Sequence, residues 1–153
     1  MIDFGLRAEE FAREYLDRES YLRRSVLSTI PLDWADLERA LSFAETDAAT
    51  LQMFHNGEIA PQAFIDEGME FGRSVTRLNK HRFYDLLQRG ATLVINRFEK
   101  YSLPAQHLGL CVSRFTNLPA TSNAYVSFGG NGSFGRHWDT HDVVVLQLVG
   151  KKH

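Results

Sequence analysis

Gly135-Arg136-His137-Trp138-Asp139-Thr140-His141-Asp142-Val143-Val144-Val145-Leu146-Gln147 is the stretch on which the reading of this chain turns. His137 and Asp139 are two residues apart. In extended backbone their side chains leave the same face, roughly 6.6 Å apart along the strand. An imidazole and a carboxylate so placed can converge on one metal ion. His141 shares their parity, but on a straight strand it would lie about 13 Å from His137, too far for the same ion. A structural hydrogen bond suits it better. The alternative for the whole stretch is a polar turn before a buried strand, and a His-x-Asp spacing alone does not decide between the two.

A histidine and a carboxylate with open positions make two-thirds of the donor triad found in non-haem iron oxygenases. Nothing visible in the sequence identifies the third donor. The run Val143–Val149 is apolar on both faces and reads as a strand that needs neighbours on both sides. It is followed by Gly150 and the last residue, His153. On that basis the sequence is expected to be truncated.

Upstream of the stretch, Gly129–Gly135 reads as a glycine-rich loop and Ala124–Phe128 as a strand. Ser102 and Pro104 open a helix that carries His107, Leu108 and Cys111 on one side. Ala91–Ile95 is a further strand. Before it, a helix is predicted from about Lys80 to Gln88, capped by Asn79 and ended by Gly90. Leu51–Phe54 and Glu58–Ala60 flank His55-Asn56-Gly57, where Asn-Gly predicts a hairpin. Asp33 caps another helix, with Trp34, Leu37, Leu41 and Ala44 on its buried side. Tyr21–Leu27 is expected to be a short strand. Ala8, Phe11, Ala12, Tyr15 and Leu16 recur at helical spacing, with Glu9–Arg13 and Glu14–Arg18 pairs on the other face.

These elements predict one α+β domain over 1–153, helical over about 1–90 and built of barrel strands over about 91–153. The 153 residues suffice for one buried core, and 44% hydrophobic with 24% charged residues is ordinary globular composition. A net charge of -2 offers no concentrated basic face, so nucleic-acid binding is not expected. Arg23-Arg24 and Lys151-Lys152 are only short surface pairs. The single cysteine, Cys111, excludes an internal disulfide and points to a reducing compartment; as a thiol in an apolar pattern it is expected to be buried and inert. Met1–Glu10 lacks the apolar core of a signal peptide, and no run approaches a membrane span. The expected location is the cytoplasm.

The run Gly135–Gln147 resembles the metal-binding strand of JmjC-type oxygenases, a branch of the cupin superfamily, and especially the bacterial cupin-like group that includes the ribosomal oxygenases. Ala91-Thr92-Leu93-Val94-Ile95-Asn96-Arg97-Phe98 and Asn123-Ala124-Tyr125 are similar to the strands before it. The resemblance implies a double-stranded β-helix, the jelly-roll barrel of cupins, preceded by helices. It implies an iron(II) enzyme that oxidatively decarboxylates 2-oxoglutarate to succinate while hydroxylating a substrate C–H bond. His137 and Asp139 match the first two iron ligands, and the last, a histidine on a much later strand, is expected beyond His153. Lys152 falls where a basic residue pairs with the distal carboxylate of 2-oxoglutarate, and Asn123 and Tyr125 where the cosubstrate pocket is lined. The substrate would be a protein side chain, with ribosomal protein one case, or a small molecule. Kinship of fold does not transfer a substrate.

Two other readings compete. A cupin-like module could bind a partner without turnover; separately, a homo-oligomer is an expected state of association. Gly130-Asn131-Gly132-Ser133-Phe134-Gly135 also satisfies G-x-G-x-x-G, but a dinucleotide site needs a helix directly afterwards, and a strand is predicted there. A kinase phosphate loop does lie between strands, yet His137 replaces the usual valine and the helical front has no role in it.

Overall fold

The computed structural model describes residues 2–44, 46, 49–129 and 138–151. Among them are four α-helices and six strands. The four helices are α1 (Ala8–Glu14), α2 (Trp34–Phe43), α3 (Lys80–Gln88) and α4 (Leu103–Thr116). Their starts follow from local chemistry. Asp33 and Asp36 exchange side-chain-to-backbone bonds of 2.9 and 3.1 Å, a reciprocal cap that fixes the first turn of α2. Asn79 accepts from the N–H of Arg82 at 3.1 Å to open α3, and Ser102 from that of Ala105 at 3.3 Å to open α4. The helix α4 ends where Asn117 turns left-handed, at φ 57°.

The main sheet is antiparallel throughout, in the order β2-β1-β5-β6, with β1 Leu51–Phe54, β2 Glu58–Ile59, β5 Thr92–Ile95 and β6 Ala124–Ser127. Asn56 and Gly57 both take positive φ, 56° and 128°, and close the predicted β1–β2 hairpin. One face of the sheet carries Leu51, Met53, Leu93 and Ile95. These pack with Phe64, Phe83, Leu87 and Ala40 into the core. Burying each such side chain contributes about 1.5–3 kcal/mol, which holds α2 and α3 against the sheet. The central strand β5 is buried on both faces.

Several expectations need correction. Besides the predicted β1–β2 hairpin, the part read as mainly helical, 1–90, holds a second, β3 (Ile65–Glu70) with β4 (Arg73–Leu78), which forms its own two-stranded sheet. No strand occurs over Tyr21–Leu27: Ser25 sits at φ 56°, which breaks an extended run. Tyr21 instead joins an aromatic cluster between α1 and α4, in which Phe4 stacks on Phe115 at 3.8 Å and Phe11 lies 5.1 Å from Phe115. Trp34, expected on the buried side of α2, is 56% exposed and stacks on Phe128 at 5.7 Å. Cys111 is a free thiol, half-buried rather than buried. Val143–Val149 pairs with no strand and is largely exposed, because none of the described elements lies beside it to accept its backbone bonds. The α+β class holds. The described strands form an open sheet and a hairpin rather than a closed barrel.

Candidate functional site

Asp139 follows the exposed Trp138 in irregular backbone, and its own side chain is exposed. Among the described residues its carboxylate has no hydrogen-bond or ion-pair partner, so it remains available as a hard oxygen donor. Its neighbour in the motif, His137, lies outside the described residues, as do Lys152 and the G-x-G-x-x-G run Gly130–Gly135. No helix forms over 138–151, so the arrangement a dinucleotide site requires is missing there. His141 is exposed, and no three His, Cys, Asp or Glu side chains cluster as a metal would need among the described residues.

Asn123 and Tyr125 stand at the start of β6, brought there by a linked turn. The side-chain oxygen of Asn123 accepts from the backbone N–H of Arg97 at 3.1 Å. Arg97 pairs with Glu99 at 2.7 Å, and Glu99 accepts from both the backbone N–H and the hydroxyl of Ser122, at 2.9 and 3.0 Å. Burial pushes the Glu99 carboxyl up, but the bonds from Arg97 and Ser122 outweigh it and hold the group below its ordinary range. Asn123 thus spends its side-chain carbonyl on the fold.

Tyr125 pairs with Val94, which pairs with Gln52, so all three side chains share the sheet face opposite the core. Tyr125 is 60% exposed on that face. Here the side-chain amide of Asn96 donates to the oxygen of Gln52 at 2.9 Å, and Gln52 donates to Glu58 at 3.0 Å. A polar row therefore runs from the end of β5 across β1 to β2, on the face that carries Tyr125. Sequence reasoning gave Gln52 and Glu58 no role. The signal was there: Gln52 is a polar residue alternating with Leu51 and Met53 in an otherwise apolar strand. A separate cleft of about 510 Å³, lined by Trp34, Leu37, Tyr84, Leu87, Val126 and Phe128, opens on the core side and is not continuous with this row.

Residues 94–153 match the family model of the JmjC domain. No curated protein and no solved structure matches the chain. The matched part holds β6, Asn123, Tyr125 and the His137–Asp139 pair. By that match, residues 94–153 of this chain are similar to the JmjC domain family.

Proposed function

We propose that the chain is part of an iron(II)- and 2-oxoglutarate-dependent oxygenase that hydroxylates a protein side chain or a small molecule. The observation that carries this reading is Asp139: it stands in a His-x-Asp motif inside the JmjC-matching residues, exposed and, among the described residues, without a partner. Imidazole and carboxylate donors suit iron(II), and His137 and Asp139 would hold it. The bound metal would supply oxygen chemistry coupled to decarboxylation of 2-oxoglutarate. The chain's own residues bind and orient. Lys152 would offset the distal carboxylate of the cosubstrate, since an anion taken out of water needs a charge-assisted partner. The amide of Asn123 and the hydroxyl of Tyr125 would line the pocket, on the sheet face opposite the core. In this reading the open sheet is the first part of a double-stranded β-helix, and the protein works in the reducing cytoplasm.

Anaerobic loading of the full-length protein with iron(II), compared with His137→Ala and Asp139→Ala, tests the site. Both variants should lose metal, and wild-type stoichiometry in both would sink the assignment.

A second reading is a cupin-like module that binds a partner without turnover. Iron-dependent succinate formation by the full-length protein separates the two readings.

A further inference from the structure

The cleft of about 510 Å³ on the core side of the sheet has walls from two helices. On α2 its lining residues fall at 34, 37, 38 and 41, the spacing of one helix face, and on α3 Tyr84 and Leu87 face it. Leu93 of β5 and Val126 of β6 complete it. Three of its aromatic rings, Trp34, Tyr84 and Phe128, are each more than half exposed. Trp34 and Phe128 stack at 5.7 Å and 22°, so they brace one another as a single wall. Aromatic surface left in water around a concavity marks a binding groove more often than a packing accident.

One charged group lies among these rings. Glu38 stands one helical turn after Trp34, and among the described residues its carboxylate has no partner. The arginines that follow the lining residues Glu38 and Gln88 are already engaged, Arg39 with Asp36 at 2.9 Å and Arg89 with Asp85 at 2.8 Å. The cleft therefore keeps one uncompensated negative charge beside ring faces that are themselves electronegative. Both features attract a cation and disfavour an anion. The volume lies within the roughly 300–1,000 Å³ of small-molecule pockets. We propose that this cleft binds a small organic ammonium ion with an apolar body. The rings of Trp34, Tyr84 and Phe128 meet the cationic head, Glu38 offsets its charge, and Leu93 and Val126 take the body. The site is independent of the metal site proposed above.

The test titrates benzyltrimethylammonium into the nitrogen-15-labelled full-length protein, followed by amide chemical shifts, with thermal unfolding of each variant alongside. Shifts should gather on α2, α3 and the end of β6. Glu38→Gln and Trp34→Leu should each weaken binding by about three- to thirtyfold, the span of one cation–ring or charge contact. Trp34→Phe keeps a ring and should lose less than Trp34→Leu. Benzyl alcohol, a similar body without the charge, and benzenesulfonate, its anionic counterpart, should both bind more weakly than the ammonium ion. Absence of shifts at the cleft overturns the proposal. So does benzyl alcohol binding as tightly as the cation, since apolar burial alone would then account for the site. Wild-type affinity in both Glu38→Gln and Trp34→Leu overturns it as well. If Trp34→Leu fails to fold, Glu38→Gln, an exposed change on the helix surface, decides alone.

Discussion

The side-chain oxygen of Asn123 lies 3.1 Å from the backbone nitrogen of Arg97, and this bond ties the turn after β5 to the start of β6. Arg97 holds a left-handed conformation, φ 55°, that a residue with a side chain seldom adopts unaided. Asn123→Ala is therefore expected to cost about 1 kcal/mol of stability with no ligand present. Urea unfolding of the two proteins measures it. An unchanged midpoint would show that the bond contributes nothing.

Glu99 anchors the same turn through Ser122 and Arg97, and its carboxyl is held below the ordinary range. A group lowered on folding binds protons more readily when unfolded. Its stabilising contribution is complete above the unfolded value, about 4.3, and fades as pH falls through the lower folded value. The stability of Glu99→Gln should therefore fall less steeply with acid than the wild type's. Parallel pH profiles of unfolding would contradict this.

At the tip of the second hairpin, Phe71 sits at φ 49°, fully exposed, ahead of Gly72 at φ 77°. Two left-handed residues in a two-residue loop favour Asn-Gly. Replacing Phe71 with Asn should stabilise the protein by up to about 1 kcal/mol, since no packing is lost. A lowered melting temperature would mean that Phe71 makes contacts its exposure does not show.

Lys152→Ala in the full-length protein should weaken 2-oxoglutarate binding by about one to two decades, the loss of one charge-assisted bond worth roughly 1.5–3 kcal/mol. Calorimetric titration under anaerobic conditions, with metal loaded, reads this directly. Unchanged affinity would remove Lys152 from the pocket.

Val143, Val144, Val145 and Val149 are each at least half exposed and pair with no strand among the described residues. A β-branched run with unpaired backbone is a template for association. The 153-residue chain should self-associate at micromolar concentration, and Val144→Lys with Val145→Lys should return it toward monomer. Sedimentation velocity decides. A monomeric wild type would show that the run is protected.

What the sequence disclosed best were features decided within a few residues. The caps Asp33, Asn79 and Ser102, and the Asn56–Gly57 turn, all stand where their side chains or backbone angles predict. The hairpin β3–β4 was missed because both its faces are largely exposed, so the sequence shows no clean alternation; the one local sign was Gly72 after Phe71. Val143–Val149 failed the other way: β propensity is strong there, but a strand exists only with a partner. At the candidate site, the spacing of His137 and Asp139 was legible. The polar row Asn96–Gln52–Glu58 was not, because it is assembled by the register of three strands.

The separateness of β3 and β4 has a dynamic consequence. Their sheet is joined to the rest mainly through its base, where the N–H of Asn79 donates to Phe64 and Asp66 is held by Arg82 and Asn79, with one further bond between the hydroxyls of Thr46 and Thr76. Beyond Asp66 its residues are mostly exposed, and its bonds are almost all to itself. Such a unit can open and reclose while β1 and β5 stay shut. In deuterated water the amides between Gly68 and Ser74 should exchange early, by local opening. Those of Met53 and Leu93 should wait for the whole molecule to unfold.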